Sequence, residues 1–310
     1  MPDQPVRHLI HWNDFSDEEI KRILLLSKKI KQYPLDYQDH LRNQSLVMLF
    51  QKTSTRTRVS FEVAISELGG HGIFLDWNST NFDLTEIGYE AAYLSSNCQV
   101  LMARMVKHEE LLELAEHSSV PVINGCCNRY HPCQAMADML TIFEHVGKTE
   151  GVKLTYIGVH NNVVNSLMAL SAALGVHLTL VCPLSPEGVV ETNAKEKLKQ
   201  RGLLFETLDL VEAVKESDFI YTDTWVDMEL FNDPKAKELK RERIELMMPY
   251  QLNEKLKEHT GAKIMHDMPI HPGYEISKGL VFHPDSIIFD QAENRLYTQK
   301  AILLFLLNKG

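Results

Sequence analysis

The sequence predicts an α/β fold in two domains, each a parallel-type sheet flanked by helices. Three observations predict it. Short apolar runs alternate with stretches of helical periodicity along most of the chain, the pattern of strands buried on both faces. A length of 310 residues is enough for two separate cores. Gly147-Lys-Thr-Glu-Gly151 interrupts the alternation near its middle, as a boundary does. The division falls between residues 1–147 and 148–291, with a last helix over 292–310.

Asp17 to Gln32 predicts an amphipathic helix, with Ile20, Ile23, Leu24 and Ile30 on one face and the lysines on the other. Ser45-Leu-Val-Met-Leu-Phe50 is a buried strand, and Phe61, Ala64, Ile65 and Leu68 recur at helical spacing until Gly69-Gly70. Between them lies Gln51-Lys-Thr-Ser-Thr-Arg-Thr-Arg58, a hydroxyl-rich turn that puts two arginines in the first turn of a helix. The positive end of the helix dipole disfavours cations there. An anion explains the placement: free backbone N–H groups, the hydroxyls of Ser54, Thr55 and Thr57, and the Arg56 guanidinium converge on one phosphate-like group.

The alternation continues with a strand at Gly72–Leu75, a polar loop from Asn78 to Leu84 and a helix from Glu86 to Ser96. A strand at Val100–Ala103, a helix through Leu111–Leu114 and a strand at Val120–Asn124 follow. His131-Pro-Cys-Gln134 then opens a helix reaching His145, with Pro132 suited to the first helical position. Past the boundary, strands are predicted at 152–159, 176–182, 203–207, 218–222 and 262–265, and an apolar helix at 292–307. Gly158-Val-His-Asn-Asn162 follows the first of these strands without the further glycines that bring a backbone close to a pyrophosphate, which argues against a nicotinamide enzyme. Asn161 and Asn162 stand at the carboxyl end of that strand either as ligand-binding amides or as helix caps.

A formal net charge of -10 argues against nucleic acid or an anionic membrane as partner. The first eight residues have no apolar signal core, and the longest apolar run, Ala301 to Leu307, is too short to span a bilayer. Five cysteines lack metal spacing and read as reduced core thiols of a cytoplasmic protein.

Polar clusters recur at strand ends: Ser54 to Arg58, Arg104, His131 with Gln134, Asn162, Asp223 with Asp227, His266-Asp-Met-Pro269, and Glu293-Asn-Arg295. Ser-Thr-Arg-Thr-Arg after a strand, then an arginine, then His-Pro-Cys-Gln opening a helix, resembles the aspartate/ornithine carbamoyltransferase family over essentially the whole chain. His-Pro-Cys-Gln and Ala292-Glu-Asn-Arg295 resemble its ornithine branch more than its aspartate branch.

The resemblance implies a site in the cleft between the domains, a last helix packed back on the first domain, and a cyclic homotrimer. It implies that Ser54, Thr55, Arg56 and Thr57 hold the phosphate of carbamoyl phosphate, and that Arg104, His131 and Gln134 hold its carbamoyl end. Arg295 projects into the same site, while Asn162, Asp223, Asp227, Met228, Asp267 and Met268 fall at the acceptor end. Arg56, Arg104, His131, Asp267 and Arg295 are the candidate catalytic residues. Carbamoyl transfer to an amine passes through a tetrahedral oxyanion and expels phosphate, so cationic and N–H donors stabilise the developing charge. This chemistry calls for no metal or organic cofactor.

Asp223 suits an ammonium and repels aspartate, which points to the side-chain amine of ornithine. Two departures concern the acceptor. Ornithine enzymes usually carry Ser-Met-Gly where this chain has Asp227-Met228-Glu229, and His-Cys-Leu-Pro where it has His266-Asp267-Met268-Pro269. A third lies in the loop that relatives reach across a subunit interface: residues 72–103 contain no Lys, Arg or His. Alternatives are another acceptor (putrescine, a different diamino acid or a ureido compound) or a non-catalytic regulatory paralogue.

Overall fold

The computed structural model describes residues 6–226, 231 and 234–310. Asp227 and Met228, expected at the acceptor end, lie outside the described residues.

Two all-parallel sheets form the framework. The first contains β1 (Ser45–Phe50), β2 (His71–Asp76), β3 (Val100–Arg104) and β4 (Val122–Cys126) in the order β2-β1-β3-β4. The second contains β5 (Lys153–Val159), β6 (His177–Leu184), β7 (Leu204–Glu206), β8 (Phe219–Thr222) and β9 (Lys263–His266) in the order β7-β6-β5-β8-β9. The inner strands β1, β3, β5 and β8 are buried almost throughout, which is why each reads as an unbroken apolar run. In each sheet the strand order reverses direction once, between β1 and β3 and between β5 and β8. Such switch points open a crevice at the carboxyl ends of the strands, because successive connections leave on opposite sides.

Helices follow the strands: α1 (Asp17–Gln32) precedes β1, and α2 (Thr55–Glu67), α3 (Ile87–Asn97), α4 (His108–Glu116) and α5 (Pro132–Val146) belong to the first half. α6 (Asn162–Leu174) follows β5, and the C-terminal helix spans Ile288–Leu306. Ser16 and Glu19 close a reciprocal capping box on α1. Gly147 ends α5 at φ 78°, a left-handed conformation favouring glycine. The C-terminal helix starts four residues before the predicted Ala292, because Ile288 and Gln291 already face the interior.

That helix leaves β9 of the second half and packs against α1, α2 and α5 of the first. One apolar core therefore runs through both halves, joining Leu46 and Met48 of β1, Leu140 of α5, Leu167 of α6, Tyr156 of β5 and Leu303 of the C-terminal helix. Polar struts cross between the halves as well. Tyr130 Oη donates to Glu191 at 2.6 Å, and the His131 backbone N–H donates to Ser166 Oγ at 2.9 Å.

Candidate active site

The carboxyl ends of β1 and β3 face those of β5, β8 and β9 across a cleft. Its wall on the first half is formed by Lys52, Ser54, Arg56, Arg104 and His131, with Arg295 reaching in from the C-terminal helix. Opposite stand Asn161, Asn162, Asp223, Trp225, Asp267 and Met268. One wall is cationic and the other carries two carboxyl groups.

The cationic wall begins at the start of α2. Ser54 caps the helix, its Oγ accepting from the Thr57 N–H at 3.2 Å, and its own hydroxyl hydrogen stays available to a ligand. Arg56 reaches across the cleft and donates from Nη2 to the carbonyl of Met268 at 2.7 Å. Arg58, the second arginine of the turn, takes another course. It lies over the Phe74 ring at 3.7 Å and donates to Glu62 at 3.3 Å, outside the cleft wall. Thr55 lies on the outer side of the turn, lining the neighbouring depression with Gln51, Arg58 and Asn78.

Arg295 is 2% exposed, and both of its terminal nitrogens are held: Nη2 donates to Thr57 Oγ1 at 2.8 Å and Nη1 to Gln134 Oε1 at 3.1 Å. Gln134 passes the chain on, its Nε2 donating to Asp138 Oδ1 at 2.9 Å. Gln291 Nε2 donates to the same oxygen at 2.7 Å while its Oε1 accepts from the His266 N–H at 2.8 Å. Thr57 and Gln134 thus stand behind the arginine rather than on the cleft wall, with their side chains directed to it. Burial, foremost, pushes the Asp138 carboxyl up to about 8, so it is largely protonated at neutral pH.

Several buried atoms on this wall have no hydrogen-bond partner: Nε of Arg56, Arg104 and Arg295, and Nδ1 of His131. Buried polar atoms are ordinarily paired, so a cluster of open ones around a cleft marks a place for a polar ligand. Burial first, then Arg295, Arg104, Lys52 and Arg56, hold the His131 imidazole well below its ordinary value. It is therefore neutral, with a ring N–H available to donate to a carbonyl oxygen.

On the opposite wall Asn161 and Asn162 divide their roles. Asn161 caps α6, its Oδ1 accepting from the N–H groups of Val163 and Val164 at 3.0 and 3.2 Å. Its Nδ2 donates to Asp223 Oδ2 at 2.7 Å. Asn162 donates from Nδ2 to the Cys127 carbonyl at 2.6 Å and still lines the cleft. Asp223 also accepts from the Thr224 N–H at 2.7 Å. Burial and then the charge of Asp267 push the Asp223 carboxyl well above its usual range. Asp267 is raised too, by burial, against the opposing pull of Arg295, Arg56, His266 and Arg104.

The structure brings Ser54, Arg56, Arg104, His131, Arg295, Asn162, Asp223, Asp267 and Met268 to one cleft. Asn161, read from the sequence as a ligand-binding amide or a cap, lines the cleft as well, and Lys52 and Trp225 join them without having been singled out as site residues. Lys52 had a signal, being part of the same hydroxyl-rich turn, whereas Trp225 had none beyond its nearness to Asp223.

Two family profiles together match most of the chain. The aspartate/ornithine carbamoyltransferase carbamoyl-P binding domain matches residues 7–144, and the Asp/Orn binding domain of the same family matches residues 150–306. The ornithine carbamoyltransferase of Vibrio sp. (strain 2693) is 40% identical over 306 residues, covering 97% of this chain and 100% of its own. That of Archaeoglobus fulgidus is 40% identical, covering 98% of each chain. The solved ornithine carbamoyltransferase of Pyrococcus furiosus superposes with a TM-score of 0.90 at 38% identity, covering 98% of this chain and 97% of its own. The anabolic enzyme of Campylobacter jejuni superposes with a TM-score of 0.87 at 33% identity, covering 98% and 100%.

Proposed function

Because the chain belongs to the aspartate/ornithine carbamoyltransferase family, we propose that it transfers the carbamoyl group of carbamoyl phosphate to the side-chain amine of L-ornithine, giving L-citrulline and phosphate. The observation that carries this reading is the pairing of walls: three arginines and a neutral histidine with open donors face two carboxyl groups. Residues 1–147 with the C-terminal helix bind carbamoyl phosphate, and residues 148–291 bind the amine. The first turn of α2 receives the phosphate through its free N–H groups, the Ser54 hydroxyl and Arg56. Arg104 and His131 polarise the carbamoyl carbonyl, and Arg295, aligned by Gln134 and Thr57, stabilises charge as the tetrahedral oxyanion forms. The departing phosphate takes up a proton. Asp223, with Asn162, holds the ammonium of the amino-acid end.

A homotrimer and a cytoplasmic location belong to the same proposal. Exposed Leu84, Tyr89 and Tyr93 support contact with a second copy, and five free cysteines support a reducing compartment. Among the described residues, no helix is long and apolar enough to cross a membrane. The second carboxyl, Asp267, favours one further reading: an acceptor with a different arrangement of ammonium groups, such as putrescine or a shorter diamino acid. Ureido-product formation from carbamoyl phosphate, measured with ornithine, putrescine, lysine, 2,4-diaminobutyrate and aspartate in parallel, decides between them. Turnover with ornithine is expected; no product from any amine overturns the proposal.

A further inference from the structure

Asp267 stands on the wall opposite the arginines, in a position that simple charge pairing does not explain. It follows β9 directly and lines the cleft together with Arg56, Arg104, Arg295 and Asp223. Its Oδ1 is buried and has no hydrogen-bond partner, although three guanidinium groups line the same cleft. Its backbone is pinned on both sides. His266 Nδ1 accepts from the Met268 N–H at 2.7 Å, so the ring proton sits on Nε2 and is donated to Glu275 Oε1 at 3.1 Å. Glu275 is itself fully buried and also accepts from the His271 N–H at 2.5 Å. On the other side Arg56 grips the Met268 carbonyl, and Met268 is held at φ 64°, a left-handed conformation a residue with a Cβ adopts at a cost. Between these two contacts the Asp267 side chain lines the cleft, where an unpaired acceptor oxygen is suited to receiving a proton.

We propose that Asp267 is the general base of the transfer, taking a proton from the acceptor ammonium so that the free amine can attack. The inference rests on the carbamoyltransferase reading above. The acceptor R–NH3+ gives one proton to the Asp267 carboxylate. The amine lone pair forms a C–N bond to the carbamoyl carbon, and the C–O bond to phosphate breaks. The second proton on that nitrogen leaves with the phosphate as hydrogen phosphate, and Asp267 returns the first to solvent. Burial, foremost, and the carboxyls of Asp223 and Asp138 oppose the charged form of Asp267, while Arg295, Arg56 and Arg104 favour it; His266, its neighbour, is held as the neutral ring. The acceptor ammonium, an alkyl amine near 10, brings the proton, and the three guanidinium groups of the cleft favour the carboxylate that receives it.

The test is the pH dependence of kcat/KM for the amine that turns over in the panel, ornithine being expected, in wild type, Asp267→Asn and Asp267→Cys. Inhibition by inorganic phosphate serves as the check that the other wall is intact. Wild type should be level from about pH 7 to 9, since base and ammonium are both present. Asp267→Asn can use only pre-existing free amine. Its kcat/KM should fall by roughly 10²–10⁴-fold at pH 7 and climb about tenfold per pH unit, with phosphate inhibition little changed. Asp267→Cys should restore a level region entered at higher pH, because a thiol releases its proton later than a carboxylic acid. A wild-type profile that itself climbs, an Asp267→Asn profile parallel to wild type, or loss of turnover in Asp267→Asn with no recovery in Asp267→Cys overturns the proposal. Absence of product in wild type with every amine would instead sink the carbamoyltransferase reading.

Discussion

Asn161 joins the architecture of the second sheet to the charge of its cleft, and one substitution separates the two contributions. Its Oδ1 accepts from two N–H groups at the start of α6, and its Nδ2 donates to Asp223 Oδ2. Asn161→Ala removes both. Loss of an N-cap costs about 1 kcal/mol, and loss of a hydrogen bond to a buried carboxyl costs about 1–3 kcal/mol. The sum, about 2–4 kcal/mol, should show in urea unfolding followed by circular dichroism, alongside faster amide exchange at Val163 and Val164. Asn161→Asp keeps the cap, which aspartate makes as well as asparagine, but sets a second carboxyl against Asp223. Two carboxyls at that distance must share a proton, which raises their joint value above that of the unfolded chain. The unfolded chain releases its protons near 4, so native stability falls as pH rises from there through the raised native value. Asn161→Asp should therefore lie closer to wild type at pH 5 than at pH 8, whereas Asn161→Ala should fall short by a similar margin at both. The acceptor KM should rise in both variants and the carbamoyl-phosphate KM should not. Equal destabilisation of the two variants at both pH values would refute the division between cap and carboxyl partner.

Asp138, with its carboxyl near 8, retains a proton through a window in which the unfolded chain has lost it, so wild-type stability should decline as pH rises from about 4 to 8 and then level off. Asp138→Asn has the shape of the protonated acid. It should escape that decline and gain on wild type towards pH 8, and parallel Tm curves from pH 5 to 9 would contradict this. Lys300 is buried and paired with the half-exposed Glu67. Glu67→Ala should cost about 3 kcal/mol by stranding a buried ammonium, while Lys300→Met should stay within about 1 kcal/mol; the reverse order in urea unfolding would refute this.

Strand and helix positions were legible to within a few residues because β1, β3, β5 and β8 are buried on both faces and announce themselves as apolar runs. The start of the C-terminal helix was not, since Ile287 makes no side-chain cap that would mark it. The residues of the cleft were legible as polar clusters at strand ends. Their hydrogen bonds were not, because the decisive pairings join distant residues: Arg56 with Met268, Arg295 with Thr57, Gln291 with Asp138. Asp138 and Gln291 sit inside helices, where a lone polar residue looks like a solvated position until the facing helix is known. Of the asparagine pair, read as caps or as ligands, Asn161 caps α6 and Asn162 ties to the Cys127 carbonyl, while both line the cleft.

The route of the C-terminal helix also has a consequence for how the protein is made. Leu303 and its neighbours fill the core shared with β1 and α5, so the first half of the chain to be synthesised lacks part of its interior until the last residues emerge. Domains that close on themselves can fold as they leave the ribosome, N-terminal first. Here the nascent first half must wait with apolar surface on α1, α2 and α5 uncovered, open to chaperones or to aggregation. A stop codon that removes the final helix would thus be felt first in solubility, at the far end of the chain from where it falls.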